Sequence, residues 1–595
     1  MMQTFTTPGA KPVAPNDNAV TQLRVRADSA PDAPALAFRD GDSFTRVTAS
    51  QMFMTVREIA AGLVAWGVQP GDRVALYCGT RIEFTYFDYA IWAAGAATTT
   101  IYETSSADQV QWILSDSGSV LAIAETTDMA ATAESVRAES CRGVVAIEDG
   151  AVDYLTSMAT DETRAEVDRR IANIRHDDLA TLVYTSGTTG MPKGCALSHH
   201  NFAWEYTQLD GGLAEFLTPE NTTLMFLPLA HIFARVVQAS CVSTGCVLAF
   251  STGIPNLMEE LPMVQPTWIF SVPRVFEKVY NGARAKAAAD GKGSIFDRAA
   301  SVAISYSQGV ERGKVSIGTK IQHALFDRLV YHKLRGALGG KATAAISGGA
   351  PLGARLGHFF RGIGVVVYEG YGLTETTAGA TVNTPKAIRV GTVGRPLQGA
   401  TIRIADDGEV LIKGGMVFTG YWNNPEATAE AIDEDGWFHS GDIGALDEEG
   451  YLTITGRKKE ILVTAAGKNV APAVLEDRMR SNALISQVMV VGDAKPFIAA
   501  LITLDEESLP AWAAANDKAG MSVDELRTDP DVVAAVEAAV NDANKAVSKA
   551  EAIKTFRILP ADLTIEGGEL TPTLKVKRSI VASKYATVID DIYGS

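Results

Sequence analysis

The chain is 595 residues long, too long for one compact core, so two or more domains are expected. Hydrophobic residues make up 47% and charged residues 21%, an ordinary globular composition. The net charge of −17 argues against nucleic acid as a partner and against a broad electrostatic grip on anionic lipid.

Residues 1–18 have neither a basic start nor an apolar stretch and read as a loose tail, not a secretion signal. Thr48 and Gln51 then stand at capping-box spacing. Met52, Val56, Ile59, Leu63 and Trp66 share one helical face, and Gly67 and Pro70 close that helix. The run Val74-Ala-Leu-Tyr-Cys78 follows as a buried strand. Helix then strand recurs at 86–97 and 94–101, and again at 106–117 and 120–124, which predicts an α/β fold with largely parallel sheets. Residues 236–250 are apolar but interrupted by Gln238, Ser240, Ser243 and Thr244, so they read as a buried element. No run approaches the roughly 20 residues of a transmembrane helix.

Residues 281–340, rich in Ala, Lys and Arg, read as helical. Between 390 and 454 glycine-punctuated β runs such as Thr401-Ile-Arg-Ile-Ala405 suggest a small β-barrel. Gly456-Arg-Lys-Lys459 is a basic break. The chain restarts with Ile461-Leu-Val463 and Val488-Met-Val-Val491, then a helix within 529–550 that sets Val532, Val536, Val540, Ala543 and Val547 on one face. The expected organisation is a large multi-subdomain unit over 19–455, a hinge over 456–459 and a smaller, mobile α+β domain over 460–595. The five cysteines form no C-x-x-C pair and suggest reduced thiols in a cytoplasm. Cys241 and Cys246 read as buried thiols in preference to metal ligands, and Cys195 is a candidate nucleophile without an evident base partner.

Four motifs carry chemistry. In Tyr184-Thr-Ser-Gly-Thr-Thr-Gly-Met-Pro-Lys-Gly194, glycines let backbone N–H groups turn toward an anion, hydroxyls donate to phosphate oxygens, and Lys193 brings a compact positive charge. Pro192 separates the last loop glycine from the lysine, so this is not the G-x-x-x-x-G-K-[ST] loop. Ser347-Gly-Gly-Ala-Pro-Leu352 and Val365-Val-Val-Tyr-Glu-Gly-Tyr-Gly-Leu-Thr-Glu375 offer glycines for close approach of a flat ligand, a stacking ring on Tyr371 and a hard carboxylate on Glu375. Gly436-Trp-Phe-His-Ser-Gly-Asp-Ile443 presents a carboxylate suited to accept two hydroxyl protons. Gly568-Glu-Leu-Thr-Pro-Thr-Leu-Lys-Val-Lys-Arg578 presents Lys575.

In this order the motifs resemble those of the adenylate-forming enzymes: acyl-CoA synthetases, peptide-synthetase adenylation domains and luciferases. The resemblance covers residues 180–580. It implies that Thr185, Ser186, Gly187, Thr188, Thr189, Gly190 and Lys193 hold the β- and γ-phosphates of ATP. It implies further that Gly349, Ala350 and Pro351 bracket adenine with Tyr371 and its neighbour Gly372, that Thr374 faces the α-phosphate, and that Glu375 with Thr185 holds Mg²⁺. Asp442 then binds ribose, Arg457 adds a contact to ribose or phosphate, Lys459 is the domain hinge, Gly467 lies near the coenzyme A path and Lys575 is the catalytic lysine. His231 is a candidate to gate the acyl carboxylate site or to contact ATP, with a satisfied core histidine as the rival reading.

Ser271-Val-Pro-Arg-Val-Phe-Glu-Lys-Val-Tyr280, the helical insertion after it and Thr464-Ala-Ala-Gly-Lys-Asn469 look most like the long-chain fatty-acyl-CoA synthetases. Ala466 replaces a glycine usual there, and Arg235 stands where some relatives carry an aromatic gate. The implied activity is a cytoplasmic, ATP- and Mg²⁺-dependent ligase that joins a medium- or long-chain fatty acid to coenzyme A, as a monomer or homodimer, with peripheral membrane contact left open. The rivals are a ligase that passes its acyl-adenylate to a carrier protein, and a non-catalytic nucleotide- or lipid-binding protein.

Overall fold

The structure, a computed structural model, describes residues 3–9, 11–185, 191–209, 213–571 and 574–594. The helix expected after Thr48 runs over Ala49–Trp66. The Thr48 hydroxyl accepts from the Gln51 N–H at 3.2 Å, the Gln51 side chain accepts from the Thr48 N–H at 2.9 Å, and Gly67 ends the helix at φ 107°. The next helix, Ile82–Ala93, begins earlier than its apolar pattern and is buried on nearly every side, because it lies between a sheet and other helices.

A seven-stranded sheet takes the order Gly420–Tyr421, Lys193–Ser198, Leu179–Thr185, Ala97–Ile101, Arg73–Tyr77, Leu121–Ala124, Val144–Ala146. From Leu179–Thr185 to Val144–Ala146 its pairs are parallel. The last two strands before the Gly420 edge run antiparallel, so Thr185 and Lys193, the described flanks of the phosphate-loop sequence, face each other on neighbouring strands. A second sheet begins with the parallel strands Trp268–Ser271, Ala344–Ser347 and Val366–Tyr371. A third combines Thr222–Met225, Val247–Phe250, Pro34–Asp40 and Ser43–Thr48. The run 236–250 divides into the buried helix Ile232–Thr244 and the buried strand Val247–Phe250. The insertion is helical: Pro273–Ala289, Gly293–Glu311, Ile317–Phe326, a π turn Asp327–Tyr331, and His332–Ala337.

Two expectations are corrected. The β runs after residue 390 form an open antiparallel sheet instead of a barrel, in the order Thr4–Thr6, Thr401–Ile404, Glu409–Lys413, Phe438–Leu446, Leu452–Arg457. The N-terminal segment is not loose: Thr4–Thr6 is the edge strand of that sheet, and Asn18 is buried as the N-cap of helix Ala19–Ser29. Short polar edge strands carry little apolar signal, so sequence patterning misses them.

After Lys459 the chain builds a separate α+β unit. Ile485–Val491, Ile498–Leu504 and Ile553–Ile558 form a three-stranded sheet, packed against helices Pro472–Arg480 and Pro530–Asn544. Its apolar clusters draw on residues from Val470 onward, whereas the main cluster of the first unit ends at Leu452.

Candidate active site

The site is built where strands end. Ser186, Gly187, Thr188, Thr189 and Gly190 lie outside the described residues. Their flanks are described: Thr185 ends one strand and pairs in register with Lys193, which begins the next. The Lys193 ammonium lies 5.0 Å from the centre of the Tyr421 ring, and the Tyr421 hydroxyl donates to Glu375 Oε1 at 2.8 Å. Tyr421 therefore joins the two motifs, and the sequence reading missed it. The available signal was an aromatic residue set between a glycine and the Asn423-Asn-Pro425 turn.

Backbone geometry fixes Glu375. A Cβ on Gly372 would meet the Ala378 carbonyl oxygen at 2.1 Å, so only glycine lets this loop close. Thr377 and Ala378 adopt φ of 48° and 74°, in the left-handed region that side chains disfavour. Thr377 Oγ1 donates to the Met416 carbonyl at 2.7 Å and the Ala380 N–H to the Tyr371 carbonyl at 2.9 Å, which holds the strained turn. Thr374 is buried directly before Glu375.

Strand Val366–Tyr371 delivers Tyr371 at its C-terminal end, beside the loop after Ala344–Ser347 that carries Gly349, Ala350 and Pro351. Gly349 has φ 82°, and all three loop residues face solvent. Ligands of parallel α/β sheets bind at this end of the strands. The Tyr371 hydroxyl donates to Asp442 Oδ2 at 2.6 Å, and Arg457 Nε lies 3.2 Å from Asp442 Oδ1. Burial raises the Asp442 carboxyl above its ordinary value, while Arg457, the Tyr371 hydroxyl and the charge of Lys575 pull it down. Beneath the loop, Glu369 accepts the Leu352 N–H at 3.0 Å, and burial pushes its carboxyl up to about 7.

Lys575 comes from the second unit. The Thr571 N–H donates to the Lys575 carbonyl at 2.8 Å, the Lys575 N–H donates to Thr571 Oγ1 at 3.0 Å, and Leu574 turns at φ 62°. Its side chain is exposed to water. The protein around it lowers its ammonium below the usual lysine range. Arg457 pushes the same way, while Asp442, Glu460 and Glu375 oppose. His231 feels the Lys575 charge too: burial first, then that charge, lower its imidazole to about 4. Its Nδ1 accepts the Phe233 N–H at 3.2 Å and caps helix Ile232–Thr244. The ring is thus neutral at pH 7 with its hydrogen on Nε2. The Lys575 ammonium thus lies within electrostatic reach of Arg457, Asp442, Glu375 and the ring of His231.

Other expected residues fall elsewhere. Lys459 and Gly467 are exposed in turns, and among the described residues no ion pair or hydrogen bond joins them to this cluster. Cys195 is fully buried, and burial holds its thiol well above the ordinary range, so it is no nucleophile. Cys241 and Cys246 are buried and free. Arg235 is a core residue: fully buried, it pairs with Asp88, donates to Thr181 Oγ1 at 2.5 Å and lies 5.3 Å from the Trp92 ring centre. Gln238 and Thr98 donate to the same carboxylate at 3.0 and 2.7 Å, so the buried carboxylate has partners besides the guanidinium.

The seam between the units is polar. Arg274 of helix Pro273–Ala289 reaches Asp505 at 2.8 Å and Ser486 at 3.1 Å, Lys278 reaches Glu507 at 2.9 Å, and Arg355 donates to the Ser481 carbonyl at 3.1 Å. Nothing in sequence spacing announces partners 126 to 231 positions apart.

The model of the AMP-binding enzyme family matches residues 23–422, and that of the AMP-binding enzyme C-terminal domain matches residues 459–595. A long-chain-fatty-acid–CoA ligase of Mycobacterium bovis, FadD15, is 49% identical over 599 residues, covering 100% of both chains. The human long-chain-fatty-acid–CoA ligase ACSBG1 is 30% identical over 607 residues, covering 94% of this chain and 83% of its own. Among solved structures, the adenylation domain of a carboxylic acid reductase from Segniliparus rugosus, in complex with AMP and a carboxylic acid, aligns with a TM-score of 0.75 at 20% identity, over 97% of this chain and 94% of that one. By motif order, fold and full-length identity, the chain belongs to the AMP-binding enzyme family.

Proposed function

We propose that the protein is an ATP-dependent ligase that joins a medium- or long-chain fatty acid to coenzyme A, releasing AMP and pyrophosphate. One observation carries the chemistry: Lys575, from the second unit, lies within electrostatic reach of Arg457, Asp442, Glu375 and the neutral His231 ring of the first. The long-chain substrate and the thiol acceptor are supported by the full-length likeness to FadD15, a likeness that disfavours the carrier-protein and non-catalytic readings. The five buried free thiols support a reducing compartment such as the cytoplasm.

In the first half-reaction a fatty carboxylate oxygen bonds to the α-phosphorus of ATP and the bond to pyrophosphate breaks. Two anions must meet. The Lys575 ammonium relieves their repulsion and stabilises charge in the transition state. Tyr371 with the Gly349–Pro351 loop orients adenine, and Asp442 takes the ribose hydroxyls. Glu375 and Thr185 would hold Mg²⁺, which neutralises phosphate charge. The fit is chemical: Glu375 is a hard carboxylate, and among the described residues Tyr421 is its one side-chain donor, leaving oxygen lone pairs for a cation that also binds phosphates and water. Neutral His231 can donate from Nε2 without adding charge. In the second half-reaction the coenzyme A sulfur bonds to the acyl carbon and AMP leaves. Lys459 and Gly467 are exposed and, among the described residues, make no hydrogen bond or ion pair with these groups, which supports a rotation of the second unit about Lys459 between the two steps.

The test is pyrophosphate release and coenzyme A consumption across even-chain acids from acetate to stearate, below their aggregation limits. Each buried CH₂ contributes roughly 0.8 kcal/mol, so kcat/KM should climb with chain length until the channel ends. A maximum at acetate or a preference for benzoate would overturn the fatty-acid assignment.

A further inference from the structure

One helix of the insertion wears its apolar residues on the outside. Ile317, Ile321 and Leu325 of helix Ile317–Phe326, and Leu329 of the π turn after it, are 77, 66, 55 and 53% exposed. In an α-helix a four-residue spacing drifts slowly around the axis, and the wider π turn brings Leu329 back toward the stripe. The inward side is mixed: His323 Nε2 meets the Gly362 carbonyl at 2.6 Å and Gln322 accepts from Arg298 at 2.9 Å, while Phe326 and Val330 pack against the core. Ile295 and Val310 of the adjoining helix Gly293–Glu311 add exposed apolar surface. A water-soluble surface helix has the opposite arrangement.

The local charge is inverted as well. Residues 312–341 hold seven Lys and Arg and one acid, Asp327, in a chain whose net charge is −17. Asp327 is paired with Arg335 at 2.7 Å. Lys320, Arg328 and Lys333 are exposed along the stripe. A continuous apolar ridge bordered by cations has the composition of a helix that lies in a membrane interface.

We propose that this stripe docks the protein onto a bilayer surface carrying anionic phospholipid, with the helix parallel to the surface and Ile317, Ile321, Leu325 and Leu329 inserted below the headgroups. A two-fold contact between copies is disfavoured, because it would bring the Lys320, Arg328 and Lys333 cations of one copy up against those of the other. The acidic remainder of the surface turns away from the lipid, so docking is oriented as well as attractive. Among the described residues no helix is long and apolar enough to cross a membrane, so attachment is peripheral.

The full-length protein is sedimented with vesicles of phosphatidylcholine alone or mixed with phosphatidylglycerol, with no ATP or fatty acid present. The parent should pellet with the mixed vesicles and lose binding as salt rises. Ile321→Asp combined with Leu325→Asp should lower partitioning about tenfold or more, and Lys320→Glu or Lys333→Glu about fivefold each. These exposed substitutions should leave ligation of a short, water-soluble acid unchanged. The proposal is overturned if the parent stays in solution with mixed vesicles, if it binds neutral vesicles equally well, if the double variant pellets like the parent, or if the parent is a dimer that the double variant splits while lipid binding is unchanged.

Discussion

The Tyr371 hydroxyl donates a 2.6 Å hydrogen bond to Asp442 Oδ2 across two different sheets, so the group expected to stack on adenine also orients the group expected to hold ribose. Tyr371→Phe keeps the ring and removes the donor. A hydrogen bond to a charged acceptor contributes about 1.5–3 kcal/mol, so KM for ATP should rise about tenfold or more with a smaller change in kcat. Steady-state kinetics in ATP checks it. An unchanged KM would separate Asp442 from nucleotide binding.

Lys575→Ala should slow pyrophosphate exchange by about 10²–10³, the usual effect of removing one electrostatic donor from a transition state. Acyl-adenylate supplied from outside should still react with coenzyme A. Equal loss in both half-reactions would remove the special role of Lys575 in adenylation.

Glu375→Gln keeps the shape and the acceptor for Tyr421 but discards the charge. The Mg²⁺ concentration for half-maximal adenylation should rise, since a hard cation binds an amide oxygen more weakly than a carboxylate. A Mg²⁺ titration identical to that of the parent would make Glu375 a structural partner of Tyr421 alone.

Arg274 ties the first unit to both Asp505 and Ser486. Arg274→Ala loosens the arrangement that places Lys575 within electrostatic reach of Asp442 and Glu375. Adenylation should slow by a few-fold, and thioester formation from supplied acyl-adenylate should hold steady or quicken. The two half-reactions are assayed separately; parallel slowing of both would mean that Arg274 supports the fold, not the arrangement.

Glu369 supplies a pH prediction. Burial raises its carboxyl from 4.5 to about 7, so between those values the folded protein keeps a proton that the unfolded chain has released. Stability from this group is therefore present at low pH and lost as pH rises through the window. Glu369→Gln keeps the acceptor for the Leu352 N–H and has no proton to lose. Relative to the parent its stability should be level below pH 4.5, climb to pH 7 and then level off, a total gain of up to roughly 3 kcal/mol. Urea unfolding at several pH values measures it, and a pH-independent difference would count against a buried, late-titrating carboxyl.

Local chemistry was legible where it repeats at short range. The Thr48 capping box and the Gly67 stop stand where spacing predicted them, because each is decided by neighbours three or four residues apart. Tyr371, Asp442 and Arg457, from three separate motifs, are brought into contact by the fold. What stayed hidden depends on distant partners. The Thr4–Thr6 edge strand needs Thr401–Ile404 to exist, Tyr421 needs Glu375 to have meaning, and Arg235 reads as a core residue only once Asp88 lies beside it. Cys195, plausible beside a phosphate loop, is disqualified by burial alone, which no local pattern reports.

The seam between the two units is held by Arg274, Lys278 and Arg355, and among the described residues no apolar cluster crosses it. Parting such a seam swaps ion pairs for hydration and bares no greasy face. The proposed rotation of the second unit would then bare charged groups that water solvates, and would not invite self-association in each catalytic cycle. A seam lined with leucine would have gripped better and turned over worse.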